Sequence, residues 1–304
     1  MRICSLLPSA TEIVFALGLG DDVVGVSHTC DFPHEATKLP VLTRSLRKPG
    51  GVSNAVPVHG VSQNGVAPLP SFALDSDLLG QVKPDLILTQ DICEVCAIGS
   101  DTVFEVATRA LSYSPEFVTV QAARLGDVLG SIRAVGTAAD IEGRAEQFAA
   151  DLTSRIDAVL ARVAETQAPK RVLCIEWAKP LRAAGLWTSD SVELAGGVPG
   201  LTPPGERSRK IGWDEVADFS PDIVLFTPCG YDIPRSFQEL ATVAAEPQWA
   251  SLPAVRAGDV YVFDGRVPSR HGPRAVDVLE AFAEIFHPSH FTPRWHGALY
   301  QRAA

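Results

Sequence analysis

Three cysteines and one histidine have residue types and spacings that could bind a metal ion. Cys93 and Cys96 have the C-x-x-C spacing found in zinc sites and in redox-active pairs. His28 and Cys30 follow a neighbouring predicted strand, so four nitrogen and sulfur ligands could converge on a tetrahedral Zn²⁺. A zinc site, a reactive thiol pair and small buried thiols are all compatible with this pattern. Packing is favoured, because free cysteine is among the most buried residue types.

Other reactive groups give weaker indications of chemistry. His271 lies where a predicted loop becomes a helix, so its imidazole could bind a transition metal or pair with a backbone carbonyl. Cys229 has no histidine nearby in sequence to activate it as a nucleophile. The sequence contains no glycine-rich phosphate loop, no G-x-S-x-G and no H-E-x-x-H motif. These observations favour a binding protein over an enzyme.

Composition excludes several classes of function. The chain has 304 residues, 46% of them hydrophobic, and a formal net charge of −10. No segment carries the cluster of Lys and Arg that nucleic acid or an anionic membrane requires. Residues 49–74 form the longest uncharged stretch, but their glycines and prolines exclude a transmembrane helix and predict a loop.

The first twelve residues predict a cytoplasmic protein. They contain one basic residue, a short apolar run before Pro8 and an acid at Glu12, which does not fit a secretory signal peptide. Six cysteines in a chain without an export signal indicate free thiols rather than a disulfide framework.

Short apolar runs alternate with helical patterns, which is typical of a parallel α/β protein. Strands are predicted at residues 2–7, 23–27, 86–89, 171–175 and 223–227. Helices are predicted at residues 12–17, 75–82, 190–195 and 213–219. Ser9 and Glu12 have the spacing of a capping box before the first helix.

The two halves of the chain repeat this plan. Lys83-Pro-Asp and Ser220-Pro-Asp each precede an apolar strand, and the first strand of each half begins with an Arg that is followed closely by a Cys, in Arg2-Ile-Cys4 and Arg171-Val-Leu-Cys174. Between them, residues 127–167 show apolar residues at helical spacing, with a helix of roughly 25 residues expected after Gly136.

We therefore expect an α/β fold of two Rossmann-like lobes with parallel central sheets, joined by one long helix, with a ligand cleft between the lobes. The predicted boundaries are an N-terminal lobe over 1–126, connecting helices over 127–169, a C-terminal lobe over 170–287 and a tail over 288–304. His287, His290 and His296 are interpreted as surface residues at the start of and within this tail.

This order of elements resembles the periplasmic binding proteins that deliver cobalamin, haem or siderophores to ABC transporters. The strings similar to the cobalamin-binding branch are Ser5-Leu-Leu-Pro-Ser-Ala-Thr-Glu-Ile13, Val24-Gly-Val-Ser27 with Cys30-Asp-Phe-Pro33, Lys83-Pro-Asp-Leu-Ile87 and Gly272-Pro-Arg274. The segment Thr89-Gln-Asp-Ile-Cys-Glu-Val-Cys96 is similar to a subgroup without signal peptides. The resemblance covers about residues 1–287 and implies a non-catalytic protein that binds a corrinoid, with cobalamin as the expected ligand.

Ligands of parallel α/β folds bind outside the carboxyl ends of the strands. The candidate ligand-binding residues are therefore Pro8, Ser9, His28, Thr29, Glu176, Trp177, Trp187, Trp213, Arg266, Val267, Pro268, Ser269, Arg270 and His271. By resemblance, Thr29 and residues 266–270 match positions that contact the corrinoid. The cobalamin importers have an aromatic residue at the position of Thr29, and residues 266–270 contain none, so the identity of the ligand stays open.

The resemblance leaves other cargoes and partners open. The alternatives are haem, a siderophore, zinc bound through Cys93, Cys96, His28 and Cys30, and an unrecognised enzyme acting on a corrinoid-like ligand. The implied partner is an ABC transporter or a cobalamin-using protein. Asp77 and Asp214 fall near the acids with which exported members dock onto the transporter. In a cytoplasmic protein we interpret them as charges at helix N-termini.

Overall fold

The chain folds into two compact units. The computed structural model describes residues 1–46, 72–91, 98–166 and 169–303. One unit contains residues Met1–Gln121 and Leu129–Ala149, and the other contains Ala122–Val128 and Ala150–Ala304. Among the described residues, no helix has the length and apolar character needed to cross a membrane.

The first unit is built on a parallel sheet. The strands of this unit are β1 (Ile3–Ser5), β2 (Val23–Val26), β3 (Thr43–Ser45), β4 (Phe72–Leu74), β5 (Leu86–Thr89) and β6 (Glu116–Thr119). Within the described residues, four strands pair in the order β2, β1, β5, β6, all parallel, and β3 pairs with β4 in a separate antiparallel ribbon. The end of the loop predicted at 49–74 is therefore a strand.

The central strands of this sheet are buried on both faces, which is why they read as continuous apolar runs. The helices of this half of the chain are α1 (Pro8–Ala16), α2 (Ser76–Val82) and α3 (Ser100–Ala110). Helices α2 and α3 place Leu79, Val103 and Ala107 against Ile87 in a common core.

Helix α1 starts earlier than predicted. Its N-cap is Leu7, whose side chain makes no capping hydrogen bond, and Pro8 occupies the first turn. Proline is well suited to that position because its φ is already helical and its missing N–H has no intrahelical partner there. Ser9 and Glu12 are buried inside the helix, so the predicted capping box is wrong.

Two helices follow the first sheet, α4 (Leu125–Ala138) and α5 (Glu142–Val163). Gly136 does not separate them as predicted, because it lies inside α4. The break comes four residues later, where Asp140 adopts a left-handed φ of 54°. The chain passes from the first unit to the second within α5, between Ala149 and Ala150.

The second unit has a mixed sheet with a parallel centre. Its strands are β7 (Arg171–Trp177), β8 (Arg182–Ala183), β9 (Val198–Pro199), β10 (Arg209–Lys210), β11 (Ile223–Phe226), β12 (Val260–Phe263) and β13 (Tyr300–Arg302). Within the described residues, the order is β10, β8, β7, β11, β12, β13, and β9 pairs with β7. Strands β7, β11 and β12 are parallel, while β13 is antiparallel to β12.

The helices of the second unit cover this sheet. They are α6 (Leu186–Leu194), α7 (Trp213–Phe219), α8 (Ile233–Ala244), α9 (Pro253–Ala257) and α10 (Ala275–Phe286). Arg155 of α5 ties the long helix to α10. Its guanidinium donates to Glu280 through two bonds of 2.8 Å and to Asp277 through one of 2.6 Å. Bidentate Arg–carboxylate contacts of this kind fix geometry as well as charge.

The last residues are an integral part of the second unit. Strand β13 completes one edge of the sheet, where Tyr300 stacks on Phe263. The buried carboxylate of Glu284 accepts hydrogen bonds from the backbone N–H groups of Arg294 and Trp295.

One of the three histidines in this region is buried, although all three were predicted to lie on the surface. His287 is buried, and its Nε2 donates to the carbonyl oxygen of Ala195 at 2.9 Å, so its predicted surface position is wrong. His290 and His296 are exposed, as predicted.

The contact between α4 and α5 makes a specific prediction about stability. A Cβ at Gly136 would lie 2.1 Å from the Cβ of Ala145, whereas a Cβ at Gly130 in the same helix would meet nothing within 4 Å. We expect Gly136→Ala to lower the free energy of unfolding by about 1–3 kcal/mol through overpacking. The matched change Gly130→Ala should raise it by about 0.5–1 kcal/mol, because alanine is the better helix former. Urea unfolding followed by circular dichroism measures both, and equal effects at the two positions would contradict the close helix contact.

Candidate functional site

Four of the predicted site residues lie at the carboxyl end of the first sheet. Pro8 and Ser9 begin α1 directly after β1, and His28 and Thr29 follow β2. Ser9 is buried, Pro8 and Thr29 are half-buried, and His28 is exposed. The parallel strands thus place these residues at one edge of the sheet, as expected for this topology.

His28 is held by the hydroxyl group of Thr43, which lies on β3. Its Nδ1 lies 2.7 Å from Thr43 Oγ1, and its backbone N–H donates to the same oxygen at 3.1 Å. The Thr43 hydroxyl in turn donates to Ser27 Oγ at 3.0 Å. The imidazole packs on Phe72, with ring centroids 5.3 Å apart. Burial lowers the pKa of His28, which favours the neutral ring.

Cys30 faces the interior of the same unit. It is buried, and the Thr11 hydroxyl donates to its sulfur at 3.0 Å, while Thr11 also contacts Ser5 Oγ at 2.8 Å. Among the described residues, no three His, Cys, Asp or Glu side chains are grouped as a metal site would require. His28 and Cys30 therefore do not form a zinc site with other described residues. Cys93 and Cys96 lie outside the described residues.

The second unit presents an aromatic surface after β7 and β11. The ring of Trp177 lies 6.0 Å from that of Tyr231, tilted by 35°. The guanidinium of Arg235 lies over the Tyr231 ring, 5.3 Å from its centroid. The Trp177 Nε1 donates to the Lys179 carbonyl at 3.0 Å, which fixes the indole. Trp177 and Tyr231 are both half-buried, so part of each ring faces solvent.

Glu176 precedes Trp177 in β7 and has polar neighbours of its own. It is half-buried, and its Oε1 lies 3.8 Å from Arg182 Nε. Burial raises the pKa of the Glu176 carboxyl, although Ser208 and Arg182 act in the opposite direction. A carboxyl with a raised pKa keeps its proton to a higher pH than an exposed one, and its oxygens can accept a hydrogen bond from an amide.

The loop at residues 264–271 is largely packed into the second unit. Trp187 Nε1 donates to the Pro268 carbonyl at 2.8 Å, and the Trp187 and His271 rings lie 5.0 Å apart. Val267, Pro268, Arg270, His271 and Trp187 are all buried, and Asp264, Arg266 and Ser269 are half-buried. Arg266 is paired with Asp264 through bonds of 2.6 and 2.8 Å. Most of this loop is therefore packed, and three of its side chains are partly open to solvent.

The remaining tryptophan of the predicted set lies apart from this surface. Trp213 begins α7 and meets Trp249 edge to face, with centroids 6.4 Å apart, against the core of the unit. Its position is that of a packing residue.

Sequence reasoning missed several side chains that complete these surfaces. Thr43 was not considered because it lies on β3, fifteen residues after His28, and no motif links the two. Arg235 lies on α8, beyond the residues that directly follow β11, so the strand-end rule that gives Trp177 and Tyr231 does not reach it.

The loops after β11 and β12 are packed so closely that one glycine cannot be replaced without movement. A Cβ on Gly265 would lie 1.8 Å from the Pro228 carbonyl oxygen, and the Gly265 N–H donates to the Tyr231 carbonyl at 2.8 Å. We expect Gly265→Ala to lower the free energy of unfolding by about 2 kcal/mol, because the backbone must shift to relieve the overlap. Gly143→Ala is the control, since its Cβ would meet nothing within 4 Å. Urea unfolding that leaves Gly265→Ala as stable as Gly143→Ala would refute this packing.

Comparisons with known proteins agree with the fold. A relative from Bacillus subtilis strain 168, an uncharacterized ABC transporter substrate-binding lipoprotein, is 23% identical over 299 residues, or 95% of this chain and 81% of that protein. A periplasmic haem-binding protein from Roseiflexus in its apo form superposes with a TM-score of 0.72 at 22% identity, covering 95% and 98% of the two chains. The periplasmic vitamin B12-binding protein of Vibrio cholerae gives 0.70 at 20% identity, covering 95% and 97%. The predicted α/β fold with parallel central sheets is confirmed.

The prediction of a cytoplasmic protein is wrong. The first of these relatives is a substrate-binding lipoprotein, and the other two are periplasmic. The first twelve residues, on which the prediction relied, form β1 and the start of α1 in the core of the first unit. Residues that build a buried sheet give no information about export.

The expected family is confirmed by its own sequence model as well. The model described as periplasmic binding protein matches residues 3–267, which include every strand that positions the surfaces above except the edge strand β13. The chain belongs to the periplasmic binding protein family.

Proposed function

We propose that this protein is an extracytoplasmic, non-catalytic binding protein that carries a corrinoid of the cobalamin type to an ABC transporter. The observation that carries the proposal is the aromatic surface of Trp177, Tyr231 and Arg235 at the carboxyl end of the second sheet. A large flat macrocycle gains most from aromatic side chains that present a broad apolar area with a polar end.

The polar groups around this surface suit the amide side chains of a corrinoid. Glu176 can accept a hydrogen bond from an amide N–H. Arg266 and Ser269 follow β12 and are half-buried. In the first unit, Pro8, Thr29 and His28 lie at the carboxyl end of the parallel sheet. Each unit thus offers a surface suited to part of a macrocycle, and the cleft predicted from the sequence stays a prediction.

Haem is the second candidate, and the exposed His28 favours it. An imidazole is a common ligand of haem iron. The haem-binding protein from Roseiflexus, of similar fold, supports the same alternative. The half-buried polar groups of the second unit favour a ligand with many amides over a porphyrin with two carboxylates.

Titration calorimetry with cyanocobalamin tests the corrinoid assignment. We expect micromolar or tighter binding to the purified chain. Trp177→Ala should weaken it by about tenfold, which corresponds to about 1.4 kcal/mol of lost stacking and apolar contact. Phe104→Ala is the matched control, because Phe104 is an exposed aromatic residue on α3, away from the strand ends. Absence of any signal with cyanocobalamin would refute the corrinoid assignment, and an equal loss in both variants would refute the role of Trp177.

The corrected location restores a role for two exposed acids. Asp77 lies in the first turn of α2 in the first unit, and Asp214 in the first turn of α7 in the second. By resemblance, acids near these positions dock onto basic residues of the transporter. We propose that Asp77 and Asp214 supply this contact.

Charge reversal tests this contact. We expect Asp77→Lys and Asp214→Lys each to weaken binding to the cognate transporter in nanodiscs by at least about fivefold, as for charge pairs at an interface, and to leave cyanocobalamin affinity unchanged. Asp21→Lys is the control, since Asp21 is an exposed acid outside both helices. Surface plasmon resonance that gives the same transporter affinity for all three variants would exclude this docking role.

A further inference from the structure

We propose that His28 binds the metal of the carried tetrapyrrole as an axial ligand through Nε2, and that Thr43 and Ser27 hold its imidazole in the tautomer that this bond requires. The inference rests on the proposed function, because it assigns to one residue of the first unit a role in binding the same ligand. The cargo it selects is a metal-bearing tetrapyrrole with an exchangeable axial position.

Three hydrogen bonds determine which ring nitrogen of His28 carries the proton. The Thr43 hydroxyl donates its proton to Ser27 Oγ at 3.0 Å and accepts the backbone N–H of His28 at 3.1 Å. A hydroxyl has one proton to donate. The contact of 2.7 Å between His28 Nδ1 and Thr43 Oγ1 must therefore be donated by the imidazole. The proton lies on Nδ1, and Nε2 keeps its lone pair.

Ser27 can accept the hydrogen bond from Thr43 because its own hydroxyl proton can be donated to a third hydroxyl, that of Thr29. Its Oγ lies 3.1 Å from Thr29 Oγ1, to which it can pass its own proton. The backbone N–H of Thr29 also points at Ser27 Oγ, at 3.4 Å. Both Ser27 and Thr43 are buried, so water does not compete for these bonds.

The ring nitrogen that remains is available to a ligand. His28 is exposed although its Nδ1 is held from the protein side, and the described part of the chain provides no hydrogen bond to Nε2. The Phe72 ring, 5.3 Å away, limits rotation of the imidazole. Burial lowers the pKa of His28 and so favours the neutral ring that can bind a metal.

This arrangement is the one that metal-binding histidines commonly use. Their second ring nitrogen donates to an oxygen, which fixes the orientation of the ring and makes the coordinating nitrogen more basic. On binding, a bond forms between Nε2 and cobalt or iron while the bond from the metal to its axial water breaks. The Nδ1 proton stays in place, and the oxidation state of the metal does not change.

Two cobalamins that differ only in their upper axial group provide the test. Aquocobalamin has an exchangeable water, whereas the cyanide of cyanocobalamin is held tightly. We expect the protein to bind aquocobalamin with a shift of its visible absorption bands as water is replaced by imidazole. His28→Gln should abolish the shift and weaken aquocobalamin binding by at least about tenfold, while cyanocobalamin affinity stays within about twofold.

Two further variants separate the effect of the Thr43 hydroxyl on the His28 ring from a general loss of structure. Thr43→Val keeps the shape of the side chain but removes the acceptor, and we expect it to weaken aquocobalamin binding by about tenfold, the lower end for outer-shell partners of metal-binding histidines. His34→Gln is the matched control, because His34 is an exposed histidine of the same unit in the short helical turn His34–Lys38. It should behave like the unchanged protein.

The outcomes distinguish this inference from the proposed function. Binding of both cobalamins without a spectral shift, or a shift that survives in His28→Gln, overturns the role of His28 and leaves the corrinoid function intact. Binding of neither cobalamin refutes the corrinoid function. In that case ferric haem is the probe: loss of its low-spin absorption spectrum in His28→Gln supports axial ligation, and an unchanged spectrum, or no haem binding, overturns it.

Discussion

A single contact at the base of each sheet sets the level at which its strands end. In the first unit the Asp85 carboxylate accepts the backbone N–H of Arg2 at 2.7 Å, and in the second Asp222 accepts that of Arg171 at 2.9 Å. The backbone N–H of each aspartate also donates to the carbonyl oxygen of the same arginine, at 2.8 Å in both units. With the amino ends aligned, Ile3 faces Leu86 and Val172 faces Ile223, so the carboxyl ends emerge together.

The surfaces at those carboxyl ends differ in chemistry although the supporting turn is the same. In the first unit, the Thr43 hydroxyl contacts an exposed imidazole, and the Ser27 hydroxyl accepts a hydrogen bond from Thr43. In the second, Trp177 and Tyr231 form an aromatic surface, and the loop beneath is held by the Trp187 bond to Pro268. A repeated scaffold can therefore carry different chemistry at the strand ends of each unit.

Rigidity is a shared property of these surfaces. Gly265 lies against the Pro228 carbonyl with no space for a side chain, and Arg266 is held by Asp264. A preformed binding surface loses little conformational entropy when its ligand binds, which suits a carrier that must bind and release its cargo without altering it. The Asp85 and Asp222 turns, the loop after β11 and the start of the loop after β12 all lie within the residues that the periplasmic binding protein model matches.

Sequence alone determined the features that depend on local pattern. Strand β5 and helix α7 were predicted at their observed bounds, because a buried parallel strand reads as an apolar run and both elements adjoin the repeated Pro-Asp turn. Lys83 and Ser220 both end their helices in the left-handed region, as that repeat implies. The tertiary structure alone decided which side chains meet: His28 with Thr43, and Trp213 with Trp249. Those partners come from separate elements, so no spacing along the chain encodes them.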